Sequence, residues 1–146
     1  MTAKTAKISA TIEIAAPPEQ VWAVLADLAS YPAWHPVFRE ASGQLTPGNK
    51  ITITSTQPQT GHTMTIKVKV LTAEPATELR WVSSVLGLMT SEHSFILSPT
   101  SGGTQLVQTQ TYRGMFTRFP PKTVNRIQAS FEAINQAIRE QAEASA

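Results

Sequence analysis

The sequence predicts an α+β fold: a seven-stranded antiparallel sheet curled around a long C-terminal helix, with two short helices between strands 1 and 2. Three observations predict it. Most of residues 8–112 alternates apolar and polar side chains with the period of two that half-buried strands require. After Gly114 the period lengthens to 3.6, and Ile127, Phe131, Ile134 and Ile138 form one stripe. That helix has no partner helix of similar length, so its apolar face must pack on the sheet.

Taken in order, residues 8–14 put Ile8, Ala10, Ile12 and Ile14 on one face and Ser9, Thr11 and Glu13 on the other. Pro17-Pro18 then opens a short helix, because a missing N–H costs nothing in the first turn. Val21, Leu25 and Leu28 follow at helical spacing, and Pro32 and Pro36 end the helical region by Trp34. Six strands come next, near 37–44, 50–57, 62–72, 78–84, 89–98 and 104–112. The clearest sets Met64, Ile66, Val68 and Val70 against Thr65, Lys67 and Lys69. Pro47-Gly48-Asn49, Glu74-Pro75 and the stretch from Pro99 to Gly103 supply turn chemistry between them. The last helix, from about Pro121 to Glu143, spans roughly 34 Å at 1.5 Å per residue.

With 146 residues and 41% hydrophobic content, the chain reads as one domain, 1–146, with a real core. The net charge is only +2, and no basic stripe interleaved with aromatics runs through the strands, so no nucleic-acid partner is expected. There is no cysteine, which removes disulfides, thiolate metal sites and cysteine nucleophiles. Asp27 is the sole aspartate, and His35, His62 and His93 lack the spacing of a zinc motif, so neither metal nor cofactor is expected. No phosphate loop or nucleophile elbow is present. With neither an apolar leader segment nor a membrane span legible, a cytoplasmic location is the default expectation.

His93 shares strand parity with Phe95 and Leu97 and so points inward. It is either a base or hydrogen-bonding group facing a ligand, or a core histidine satisfied by a neighbouring strand or Gln110. His62 sits at a strand end, where exposure is expected, and His35 lies in a loop that it helps to shape. Arg39 and Glu40 fall on opposite strand faces, so only one can face the interior. Trp22 and Trp34 read as packing residues. Trp81, Phe131 and Ile134 can equally fill the core or wall a cavity.

The order and spacing of several motifs resemble the SRPBCC or START-like superfamily, the helix-grip fold of polyketide cyclases and birch-pollen-allergen-like proteins. The matching pieces are Pro17 to Trp22, Asp27-Leu28 to Trp34-His35-Pro36, Glu74-Pro75 to Trp81, His93 to Phe95, Gln110 to Gly114, and Phe131 to Asn135. Together they cover nearly the whole chain. The resemblance implies that Gln108, Gln110 and Tyr112, in register with Leu106, look inward. Two departures stand out: His35 occupies a position where relatives often carry Asn, and Gln110 one where many carry Glu.

The expectation is therefore a binder of a small hydrophobic or amphipathic ligand: a lipid, polyketide or aromatic compound. Its cavity would be lined by Met64, Ile66, Trp81, His93, Phe95, Gln108, Gln110, Tyr112, Phe131 and Ile134. The alternative is a cyclase or dehydratase without metal or cofactor, with His93 and Tyr112 as its best catalytic candidates. In an antiparallel meander the loops after residues 56, 84 and 114 share one end. Two of those loops are apolar, giving a rim of Leu86, Leu88, Met89, Met115, Phe116 and Phe119 that is either a plug or a portal. Arg113, Arg118, Lys122 and Arg126 beside it suit transient contact with an anionic membrane surface. The chain is expected to be a monomer or homodimer.

Overall fold

The computed structural model describes residues 4–56, 60–85, 87–114 and 119–145. Strand β1 (Lys4–Ile14) leads into helix α1 (Pro18–Ala26), a single 3₁₀ turn at Leu28–Ser30 and the short helix α2 (Tyr31–Trp34). Strands β2 (Phe38–Ser42), β3 (Lys50–Thr56), β4 (Thr63–Glu74), β5 (Glu78–Val85), β6 (Met89–Thr100) and β7 (Gly103–Gly114) follow, and α3 (Pro121–Ala144) closes the chain. The seven strands form one antiparallel sheet in the order β1-β7-β6-β5-β4-β3-β2. This is the architecture the periodicity predicts.

The boundaries differ by one or two residues at several strand ends and most at β1. β1 begins at Lys4 rather than at residue 8, because its ladder continues along the whole of β7, with Lys4 opposite Gly114 and Ala6 opposite Tyr112. Backbone pairing there extends past the side-chain alternation that marks a strand in sequence.

At one end of the sheet, Gly103 (φ +148°) lets the β6–β7 hairpin sit directly against the end of β1. A side chain there would run into the Ile14 carbonyl and the backbone of Ala16. The neighbouring Thr104 hydroxyl donates to the Ala16 carbonyl at 2.7 Å, which ties this hairpin to the start of α1.

Helix α3 is pinned along β1. Gln128 Nε2 donates to Ser9 O (2.9 Å), Asn135 Nδ2 to Ala10 O (3.1 Å), and the Ala15 N–H to Glu143 Oε2 (2.9 Å). Its C-terminal half buries Ile134, Ile138 and Ala142, while α1 contributes Val21 and Leu25 to the same core. Because α3 lies along β1 and α1, its N-terminal half stands over strands β3–β7 without filling the space beneath. No described helix is long and apolar enough to cross a membrane.

Candidate functional site

Beneath that half of α3 is a cavity of about 700 Å³, within the range of small-molecule sites. Register explains its walls. His93 lies opposite both Trp81 and Gln110, and Ser91 lies opposite both Ser83 and Tyr112, so the inward faces of β5, β6 and β7 form successive rows. Ile53, Met64, Ile66 and Val68 continue the wall onto β3 and β4, and Ile127, Phe131 and Ile134 roof it from α3.

Of the residues expected in the lining, Met64, Ile66, Trp81, His93, Gln110, Tyr112, Phe131 and Ile134 border this space. Phe95 and Gln108 do not. Both are buried behind His93: Phe95 stacks on its imidazole with centroids 4.7 Å apart, and Gln108 hydrogen-bonds it. Met64 and Ile66 are 53% and 37% exposed although Val68 and Val70, on the same strand face, are buried. The cavity therefore opens to solvent at the Met64 end. Of the apolar rim, Met89 lines the cavity, Phe119 packs edge-on against Tyr112 with centroids 4.9 Å apart, and Leu88 is 45% exposed. Leu86, Met115 and Phe116, with Arg118, lie outside the described residues.

His93 is held between rings, with Phe131 stacked at 5.2 Å and Trp81 edge-on at 5.5 Å. Its Nε2 is 2.9 Å from Gln108 Oε1. Gln108 Nε2 in turn donates to the Phe131 carbonyl (3.1 Å) and to Asn135 Oδ1 (2.7 Å). Gln110 bonds Ser91 instead of His93. Both contacts run diagonally across the β6–β7 ladder, an offset that strand pairing allows and sequence parity does not specify. Asn135 is the member sequence reading misses. It sits on the α3 stripe four residues after Phe131, so its spacing is the signal that marks it as buried.

Burial lowers the His93 pKa to about 4, with the Gln108 hydrogen bond partly opposing the shift. His93 is thus neutral at pH 7. Burial raises Tyr112 to about 12, which leaves its hydroxyl a donor. No carboxylate is found among the lining residues; the charged side chains there are Lys67 and Arg126, and Arg126 has no ion-pair partner among the described residues. No cluster of three His, Asp or Glu side chains capable of holding a metal forms among the described residues.

His35 lies deeper. Its Nδ1 accepts the backbone N–H groups of Val37 (3.1 Å) and Phe38 (2.9 Å), which shapes the turn from α2 into β2. Its ring stacks on Phe38 at 4.3 Å, and Phe38 leads on to Trp81 at 6.4 Å. Burial, then the proximity of His93 and Arg39, lowers the His35 pKa to about 3. His62 is exposed just before β4, and Arg39 and Glu40 are both exposed on β2.

Phe131 is 6% exposed and carries the stack on His93. Phe131→Ala is expected to cost about 3 kcal/mol, the low end for such truncations, because one side of the ring already faces open space. At this chain length that is a fall of roughly 6–12 °C in melting temperature. An unchanged melting temperature would show that the ring contributes no packing.

The family described as polyketide cyclase / dehydrase and lipid transport has a model that matches residues 5–143. No curated protein matches the sequence. Among solved structures, a START superfamily protein from Mycobacterium smegmatis is similar at TM-score 0.77 and 17% identity, covering 96% of this chain and 99% of that one. The di-domain ARO/CYC StfQ from the steffimycin biosynthetic pathway is similar at TM-score 0.76 and 13% identity, the match covering 97% of this chain and 52% of that one. Ara h 8.0201 is similar at TM-score 0.71 and 17% identity, covering 97% and 99%. At these identities the structural likeness speaks for the fold alone, whereas the family match spans nearly every residue. The chain belongs to the polyketide cyclase / dehydrase and lipid transport family.

Proposed function

We propose that this protein binds a small hydrophobic or amphipathic molecule, a lipid, polyketide or aromatic compound, in the cavity between sheet and α3. The observation that carries this reading is the lining. A cavity of about 700 Å³ has mostly apolar walls, a few neutral hydrogen-bonding groups and two cationic side chains, Lys67 and Arg126, and neither His93 nor Tyr112 is poised to exchange a proton at pH 7. General acid–base catalysis works best with a group whose pKa lies near the working pH. His93, at about 4, and Tyr112, at about 12, are far from it on either side. The second reading, cyclisation of a poly-keto substrate, is supported by the family's description and by the presence of His93 and Tyr112 in one cavity. Turnover of a poly-β-ketone would favour it; retention of the compound unchanged favours binding.

The ligand exchanges through the open side at Met64 and Ile66, with exposed Leu88 next to the lining residue Met89 and basic Arg126 also in the lining, an arrangement that suits brief contact with an anionic membrane surface. The test is fluorescence titration with the uncharged probe phenylnaphthylamine. Wild-type protein is expected to bind it. Met64→Asp with Leu88→Asp should weaken binding about tenfold or more and change stability by about 1 kcal/mol or less, since both side chains are already about half exposed. No binding by the wild type overturns the reading, and undiminished binding by the double variant overturns the route.

A further inference from the structure

The polarity of the buried hydrogen-bond chain behind the cavity is fixed from its far end. A backbone carbonyl can only accept, so the Gln108 atom facing Phe131 O is its amide nitrogen. Likewise the Asn135 atom facing Ala10 O is nitrogen, which turns Asn135 Oδ1 toward Gln108. Gln108 therefore presents Oε1 to His93, and His93 Nε2 must carry the proton. A neutral imidazole has one N–H, so Nδ1 holds a bare lone pair. Nδ1 has no hydrogen-bond partner among the described residues, and no fully buried side-chain nitrogen or oxygen there is left unpaired. His93 lines the cavity, so a group bound there can meet this lone pair.

From this we infer that the cavity selects, at His93 Nδ1, a ligand carrying a hydrogen-bond donor, a phenolic, enolic or alcoholic hydroxyl, and that Gln108 and Asn135 are the positioning residues that impose this polarity. The inference rests on the binding reading and gives it a chemical sense. A ketone or ether oxygen set at the same place would face the lone pair of Nδ1, two acceptors with no proton between them. The low basicity of His93 keeps the ring in this state throughout the neutral range. Nothing in the chain can rotate to compensate, because both amides are held by backbone carbonyls. Discrimination is strongest in such a site, since the wrong group leaves a buried polar atom unpaired.

Hydroxypyrene and its methyl ether, methoxypyrene, test this as a matched pair. By apolar area alone the ether should bind slightly more tightly. The inference expects hydroxypyrene to bind the wild type about three- to tenfold more tightly, the value of one net hydrogen bond. His93→Asn and His93→Leu are nearly isosteric, and both abandon the Gln108 contact. Only Asn sets an acceptor, Oδ1, where Nδ1 stood. The hydroxyl preference should persist in His93→Asn and vanish in His93→Leu. Histidine nitrogen NMR on the unaltered protein is a second readout that needs no variant. Nδ1 should show the unprotonated signal and move with hydroxypyrene but not with the ether. Equal binding of both probes by the wild type, a preference surviving in His93→Leu, or a proton on Nδ1 would each overturn the inference while leaving ligand binding intact. Failure of both probes to bind at all would overturn the binding reading, and this inference with it.

Discussion

Acidification from pH 6.5 to pH 4 is expected to strip about 6 kcal/mol from the stability of this protein, enough to unfold a typical domain. The reason is two buried neutral histidines. An unfolded histidine titrates near 6.5, whereas folded His35 and His93 titrate near 3 and 4. Both pKa values are lower in the folded state, so the unfolded chain binds more protons throughout the interval. Stability is fully present above about 6.5 and drains as pH falls toward the folded values, by about 1.4 kcal/mol per pH unit for each histidine. For His35 the structural reason is explicit: a proton on Nδ1 would displace the Val37 and Phe38 N–H groups that it accepts. Urea unfolding at a series of pH values measures the slope. His35→Asn should roughly halve it while keeping the fold, because the amide oxygen can accept the same two N–H groups and does not titrate. A stability flat between pH 6.5 and 4.5, or an unchanged slope in His35→Asn, would refute this account.

The same residues mark where sequence reasoning reaches and where it stops. Alternation in β4 identifies Met64, Ile66, Val68 and Val70 as one face. It cannot say that Val68 and Val70 are buried while Met64 and Ile66 stand at an open mouth, because periodicity reports a face and not what covers it. Coverage depends on how α3 lies, and that is set by its tethers to β1 at Ser9 and Ala10 and to Ala15 just after it. Strand parity likewise turns His93 inward, and the family resemblance implies the same for Gln108 and Gln110. It cannot choose between the directly opposed Gln110 and the diagonal Gln108 as the partner of His93, since that choice follows from the local geometry of the β6–β7 pair. Phe95 fails as a wall residue for a related reason. It shares the face of His93, but it lies further along β6, where the apolar core closes beneath the cavity. Asn135 shows the opposite case, a polar residue at a buried helical spacing whose meaning appears only when its partners are in place.

Those partners make Gln108 the residue whose loss should cost most. Gln108→Leu is close to volume-conserving, and the side chain is fully buried, so packing alone predicts a small effect. Hydrogen bonding predicts a large one. The substitution leaves the His93 Nε2–H and Asn135 Oδ1 buried without partners, while the Phe131 carbonyl keeps its place in the helical ladder. Each orphaned group costs about 1–3 kcal/mol, so Gln108→Leu should destabilise by about 2–6 kcal/mol. The diagnostic step is to add His93→Phe. Phe keeps the ring between Phe131 and Phe95 but removes the stranded N–H, so the double variant should be more stable than Gln108→Leu by about 1–3 kcal/mol. In the wild-type background the same His93→Phe should destabilise, because it strands Gln108 Oε1 instead. Opposite signs for one substitution in two backgrounds is the coupling expected of residues joined in one hydrogen-bond network. If His93→Phe lowers stability equally in both backgrounds, or Gln108→Leu costs less than about 1 kcal/mol, the buried chain does not fix the His93 ring, and the preference for a donor ligand loses its structural basis.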